Sequence, residues 1–141
     1  VNYLLDVNIL LAWGWSDHLD HSRTAQWMAS AKETRTTRLH TSPISEIGFV
    51  RVSVQRSQGR VTVPQAAAIL RGMLKSLGPT HRFLADDLSG TEWPDWCASA
   101  ARTTDAHLLR LAQQHGLQLA TLDTGIPEAY LLPPLSPSRQ S

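Results

Sequence analysis

Short apolar strands alternating with longer amphipathic helices predict an α/β protein. The expected form is a three-layer α/β/α sandwich around a mainly parallel four- to five-stranded sheet. Three observations carry the prediction. Apolar runs of four to seven residues alternate with helical periodicities of 10–15 residues along the chain. Two acidic residues, Asp6 and Asp123, stand where apolar strands end. Two more, Glu46 and Asp105, stand in the first turns of helices.

The elements follow in order. Residues 3–7 (Tyr-Leu-Leu-Asp-Val) read as a buried strand ending near Asp6, and Asn8-Ile-Leu-Leu-Ala-Trp leaves it as a short helix. Between Asp20 and Ala31, the residues Ala25, Trp27, Met28 and Ala31 recur at helical spacing. Leu39-His-Thr is the second strand. Ser42 as N-cap and Pro43 in the first turn start a helix with Ile44, Ile47, Val50 and Val54 along one face and Glu46 near its beginning. Thr62-Val-Pro-Gln opens another, with Ala66, Ile69, Leu70, Met73, Leu74 and Leu77 as its apolar side and Gly78-Pro79 as its stop.

Arg82-Phe-Leu-Ala-Asp is the third strand, and residues 88–100 read as a loop followed by a short helix. Thr104 caps the next helix, which buries Leu108, Leu109, Leu111 and Ala112 and stops at His115-Gly116. Leu117-Gln-Leu-Ala-Thr-Leu-Asp is a strand ending in Asp123; Pro127 leaves room for only a short helix before a last edge strand at Tyr130-Leu-Leu. Residues 1–132 are expected to form one domain, with 133–141 a Pro/Ser-rich tail.

Composition narrows the function classes. Hydrophobic content of 42% against 18% charged residues fits a globular chain and excludes intrinsic disorder. No apolar run approaches the roughly 20 residues that span a bilayer, and Val-Asn-Tyr-Leu-Leu-Asp lacks the basic start of a signal peptide. The single Cys97 has no internal disulfide partner, so a cytoplasmic location is expected. Setting four site acids aside from the 12 leaves eight against 13 bases, a basic surface suited to a polyanionic partner.

In parallel α/β sheets ligands bind outside the carboxyl ends of the strands, where strand order reverses. Asp6, Glu46, Asp105 and Asp123 are all placed to face that crevice. Singly, each is explained as a turn residue or a first-turn helix acid. As a set they describe a carboxylate cage. Like charges in such a cage call for a cation, and oxygen donors select Mg²⁺ (or Mn²⁺). The chain has no Cys-His cluster with zinc spacing. A hard divalent ion held this way is a means of hydrolysing phosphodiesters.

Four blocks in sequence resemble the PIN-domain nucleases, and within them the small toxin type called VapC. They are Leu-Leu-Asp-Val-Asn-Ile-Leu-Leu (4–11), Thr-Ser-Pro-Ile-Ser-Glu-Ile-Gly-Phe-Val-Arg (41–51), Thr-Thr-Asp-Ala-His-Leu-Leu-Arg-Leu-Ala (103–112) and Gly-Leu-Gln-Leu-Ala-Thr-Leu-Asp (116–123). The resemblance spans residues 1 to about 132. It matches Asp6, Glu46, Asp105 and Asp123 to the family's acidic quartet, and Asn8 and Thr121 to the polar residues that support it. It implies a PIN-like fold and a metal-dependent endoribonuclease acting on RNA, homodimeric and held inactive by a small antitoxin of the VapB type. The 84–100 stretch and the segment after Asp123 depart from the family pattern.

Two alternatives remain at this stage. A haloacid-dehalogenase-type phosphatase would want Asp-x-Asp where residues 6–8 read Asp-Val-Asn, and the only lysines are Lys32 and Lys75. A non-catalytic PIN-like RNA- or protein-binding module would be expected to have lost an acid. Arg51, Arg56, Arg60 and Arg102 flank the quartet and are candidates for holding RNA phosphates. Trp13, Trp15, Trp93 and Trp96 either stack on bases or, the commoner fate, fill a core or an interface. The six histidines show no metal spacing and most read as surface or capping residues, with His107 turned away from Asp105. Asp86, Asp87 and Asp95 read as surface residues. The resemblance further implies that the apolar positions of residues 8–31 form a groove for a partner helix.

Overall fold

The computed structural model describes residues 1–137; the remainder of the expected tail, residues 138–141, lies outside the described residues. In chain order the elements are β1 (Asn2–Leu5), α1 (Val7–Gly14), α2 (His21–Glu33), β2 (Arg38–Thr41), α3 (Pro43–Arg56) and α4 (Val63–Leu77). They continue with β3 (His81–Phe83), α5 (Thr103–Gln114), β4 (Gln118–Thr121) and β5 (Tyr130–Leu131). The strands form one five-stranded sheet in the order β3-β2-β1-β4-β5. Every pairing is parallel, which is the expected three-layer α/β sandwich with no antiparallel member.

Strand alternation divides the core in two. Leu5, Leu39 and Ala120 face one side of the sheet, where they meet Ile9 and Leu10 of α1, Met28 of α2, Phe49 of α3 and Leu70 of α4. Leu4 and Leu119 face the other, against Leu108, Leu109, Leu111 and Ala112 of α5. Burial on both faces explains why β1 and β4 read as continuous apolar runs rather than alternating ones. The chain builds β1, β2 and β3 outward in one direction, then crosses to β4 and β5 on the far side of β1. That reversal opens the crevice beside the ends of β1 and β4.

Local signals placed most boundaries. The Ser42/Ser45 capping box and Pro43 start α3, the Thr62/Gln65 box starts α4, and Gly78 ends α4 at φ +55°. Several expectations need correction. Thr104 lies inside α5, whose N-cap is Arg102 after a 3₁₀ turn at Ala100–Arg102. Only turns, not a short helix, join β4 to β5. Ile69 is 42% exposed. The Ile44, Ile47, Val50 and Val54 stripe is not the buried face of α3: Ile47 is 59% exposed, Ile44 and Val50 pack only partly against the cores, and the buried face is Ser45, Gly48, Phe49 and Ser53. Of the tail, residues 133–137 run along α2, with Arg23 Nε donating to the Pro133 carbonyl at 2.9 Å and Gln26 Oε1 accepting from Ser136 N at 3.0 Å. No helix among the described residues is long and apolar enough to cross a membrane.

The small residues on the inner face of α3 let it lie close to α1. A Cβ at Gly48 would stand 2.6 Å from Val7 Cγ2 and 3.0 Å from Val7 Cγ1. Val7 is β-branched and follows Asp6, so it has little freedom to yield. Gly48→Ala is therefore expected to destabilise the fold by about 1–3 kcal/mol through overpacking, despite alanine's better helix propensity. A urea midpoint at or above that of the unaltered protein would contradict this packing.

Candidate active site

Asp6 follows β1 and caps α1, with only 2% of its surface exposed. Its backbone N–H continues the ladder to the Ala120 carbonyl at 3.0 Å, which pins the residue beside the end of β4. Its Oδ1 accepts from Val7 N at 2.7 Å and its Oδ2 from the Thr121 hydroxyl at 2.8 Å. Those bonds favour the ionised carboxylate, but burial outweighs them. With Asp105 and Asp123 adding like charge, the group is pushed up from 3.8 to about 6.

Thr121 ties the site together. It ends β4 fully buried, donates to Asp6, and accepts from Asn8 Nδ2 and Asp123 N, each at 3.0 Å. Asn8 completes the ring, its Oδ1 accepting from Leu122 N at 3.1 Å. Asp123 Oδ1 in turn accepts from Gly125 N at 2.7 Å, closing the turn after the strand.

Asp105 lies in the first turn of α5. Burial, then the charge of Asp123, raises its carboxyl, and Arg102 opposes them. Arg102 also donates to the Gly125 carbonyl and lays its guanidinium 5.2 Å from the Trp96 ring. It thereby braces the segment before Asp105 against the one after Asp123.

Glu46 stands apart from this trio. The charges that lift Asp6 are those of Asp105 and Asp123. Glu46, in the first turn of α3, accepts instead from the Thr41 hydroxyl at 2.7 Å. Thr41 is fully buried at the end of β2, and its hydroxyl also lies 2.7 Å from His81 Nε2 on β3.

The donor set around Asp6 fits a hard divalent cation. It is all oxygen, it gathers negative charge, and its most buried member has only a hydroxyl and one backbone N–H to offset the loss of water. Among the described residues no three His, Cys, Asp or Glu side chains are grouped closely enough to hold an ion as they stand. Mg²⁺ keeps several of its waters, so a looser group of carboxylates remains compatible with it.

The other candidates divide. Arg51 and Arg60 are exposed. Arg56 is engaged within the protein, 4.4 Å over the Trp15 ring and 3.3 Å from Asp17. Trp13, Trp15 and Trp96 pack against the cores, whereas Trp93 is 41% exposed. His107 and Asp86 are not surface residues: His107 Nε2 lies 2.6 Å from Asp86 Oδ2, both nearly buried, which anchors the 84–99 segment to α5. Spacing along α5 shows only that His107 faces away from Asp105; the partner comes from a segment with no periodicity to read. Within residues 8–31, Trp13, Ala25, Met28 and Ala29 line a small pocket of about 170 Å³ against Ser76 and Leu77, and a wider apolar groove lies elsewhere. It lies between α3 and α4, about 740 Å³, lined by Ile47, Val50, Val54, Val63, Leu70 and Leu74, with Glu46 at its border.

A parallel sheet with acids gathered at its reversal point defines a class of ligand-binding α/β domain. Within that class the chain belongs to the PIN domain family, whose profile matches residues 3–131. Ribonuclease VapC38 of Mycobacterium tuberculosis (strain ATCC 25618 / H37Rv) is 37% identical over 126 residues, covering 87% of this chain and 86% of its own length. Ribonuclease VapC39 of the same strain is 32% identical over 130 residues, 89% of this chain and 91% of its own. Ribonuclease VapC29, again of that strain, is 33% identical over 131 residues, 90% of each chain.

The state of Asp6 is measurable without substrate. The folded protein keeps a proton there that the unfolded chain releases near 3.8, so stability is lost as pH rises toward about 6. At about 1.4 kcal/mol per pH unit, the loss is on the order of 3 kcal/mol. Between about pH 4.5 and 7.5 the metal-free protein's thermal midpoint is expected to fall roughly 5–10 °C more than that of Asp6→Asn. Mg²⁺ should raise the midpoint more at the upper pH than at the lower. An identical pH response in both proteins would remove Asp6 as the source.

Proposed function

We propose that this chain is a Mg²⁺- or Mn²⁺-dependent endoribonuclease hydrolysing RNA phosphodiester bonds, the toxin of a VapBC-type toxin–antitoxin pair. The observation that carries the reading is the trio Asp6, Asp105 and Asp123, whose mutual repulsion no basic side chain relieves at Asp6. Relatives named Ribonuclease VapC that align with nearly nine-tenths of the chain support it.

In this reading Asp6, Asp105 and Asp123 hold the ion, and Thr121 and Asn8 keep Asp6 and Asp123 in place. When bound, the ion polarises the scissile phosphate and offsets the charge that develops on the leaving oxygen. Glu46 orients the attacking water and takes its proton as the water oxygen bonds to phosphorus. The P–O3′ bond breaks and the leaving oxygen takes a proton from solvent water, leaving a 5′-phosphate and a 3′-hydroxyl. Arg51 and Arg60 contact flanking phosphates, the role their exposure permits.

The partner in this reading is a VapB-type antitoxin, and the toxin acts as a homodimer. The α3/α4 groove supports the antitoxin assignment. Its floor is aliphatic, Arg51 and Arg71 flank it, and it runs to Glu46. An amphipathic helix with acidic flanks fits that pattern and would cover the approach to the acids.

Purified protein is expected to cut RNA into discrete fragments with Mn²⁺ or Mg²⁺ and not with EDTA. Asp6→Asn and Asp105→Asn should each slow cleavage by at least about 100-fold. Products ending in a 2′,3′-cyclic phosphate would rule out the water mechanism. Val54→Glu should leave cleavage intact and abolish neutralisation by the antitoxin. If it instead changes the oligomeric state, the groove holds a second copy.

A further inference from the structure

We infer that Thr41 and His81 are positioning residues for Glu46, forming a directed hydrogen-bond chain that fixes its carboxylate toward the reaction site. The inference deepens the ribonuclease reading and rests on it for its kinetic consequence, though the chain itself is testable without catalysis.

The direction follows from the inventory of donors and acceptors. A threonine hydroxyl has one proton, and an ionised carboxylate only accepts. At 2.7 Å from Glu46 Oε2, the Thr41 proton is committed to Glu46. The equally short 2.7 Å contact between Thr41 Oγ1 and His81 Nε2 then requires a proton on Nε2. The order is His81 Nε2–H to Thr41 Oγ1–H to Glu46 Oε2. Each bond polarises the next, so the bond to the carboxylate is stronger than an isolated threonine would make.

The framework under the chain is rigid. Thr41 is fully buried and its carbonyl accepts from Leu84 N at 2.8 Å, which ties the end of β2 to the chain leaving β3. β2 and β3 are paired in register, with Leu39 opposite His81, so His81 and Thr41 share one face of the sheet. His81 is suited to remaining a neutral donor. Burial lowers its imidazole, as do His40 and Arg82, while Glu46 pulls the other way. Glu46 itself is a three-rotor side chain, half-buried on the first turn of α3. Tethering Oε2 leaves Oε1 free and stops the carboxylate sweeping between the crevice and the groove, and an orientation fixed before the reaction costs nothing during it.

The structural arm of the test uses ¹⁵N NMR of the metal-free protein at neutral pH. His81 is expected as the Nε2–H tautomer, with a Thr41 hydroxyl proton protected from exchange. The Nδ1–H tautomer would overturn the inference whether or not the protein cuts RNA. The kinetic arm compares Thr41→Val, Thr41→Ser, His81→Leu and His81→Gln under single-turnover conditions. Valine and leucine should each lower the cleavage rate about 10- to 100-fold with KM little changed. Serine keeps the hydroxyl, and glutamine places an N–H near the imidazole Nε2 position, so both should recover most of the rate. Mn²⁺ affinity, read by electron paramagnetic resonance, should stay within about twofold in all four, because they leave the Asp6 trio untouched. Folded Thr41→Val or His81→Leu protein cleaving like wild type would overturn the inference, as would serine and glutamine variants no better than valine and leucine. Wild-type protein that shows the expected tautomer and never cuts RNA would instead reject the ribonuclease reading.

Discussion

Thr121 ends β4 with a hydroxyl that has no exposure, and three groups meet on it, two from the β1–α1 junction and one from the turn after β4. Asp6 accepts its proton, while the Asn8 amide and the Asp123 backbone N–H donate to its oxygen. Every hydrogen-bonding capacity of the hydroxyl is therefore used, with no surplus for a fourth partner. The backbone bond from Asp6 N to the Ala120 carbonyl sets Asp6 beside β4, and that one atom links its carboxylate to the Asp123 turn. The angle at which α1 leaves the sheet also rests on it, because Asn8 is the helix's second residue and also bonds Leu122 N. The sheet brings β1 and β4 side by side; Thr121 turns that adjacency into a defined relation between two carboxylates.

The same arrangement sets the electrostatic cost. Two hydrogen bonds hold the Asp6 carboxylate, yet its proton affinity rises. Desolvation therefore outweighs both bonds at this depth, and the nearby acids add to it. A side chain serving stability alone would not be kept there, since an asparagine fits the same space without the charge. Strain of this kind belongs at functional sites, where a ligand can recover it. Close packing around the Asp6 segment limits how far it can relax, because Gly48 of α3 leaves no room beside Val7.

Much of this was legible in the chain because it is encoded locally. Asp6 and Asp123 could be placed from the apolar runs before them, and Glu46 from Ser42-Pro43, which fixes the start of α3 whatever surrounds it. Helical spacing, by contrast, says which residues share a face and not which face turns inward. Ile47, Val50 and Val54 share a face of α3, but Ser45, Gly48 and Ser53 are small enough to let α1 approach, so the serine and glycine side went into the core. Side-chain pairs between distant segments were equally invisible. Asp86 and His107 are separated by 21 residues, Thr41 and His81 by 40, and no local pattern brings either pair together. Thr104 was misplaced because its neighbour Thr103 already bonds the Ala100 carbonyl in the 3₁₀ turn that leads into α5.

Helix α3 joins the two surfaces that matter most. Glu46 points from its first turn to Thr41, and the next residue, Ile47, opens the aliphatic groove toward α4. Adjacent residues on a helix lie about 100° apart, so a partner seated on Ile47, Val50 and Val54 occupies the flank next to the carboxylate rather than the crevice itself. Such a partner could restrain the site without a long-range conformational change: covering Glu46 blocks water and phosphate, and an acidic or basic group at the end of the groove acts on its charge directly. The support of fully buried Thr41 and partly buried His81 lies on the sheet side of Glu46, and neither residue lines the groove. One helix thus exposes the acid to a partner on one side while the sheet fixes it from the other. In the proposed reading, inhibition by contact and preorganisation for catalysis can then be altered by substitutions at different residues.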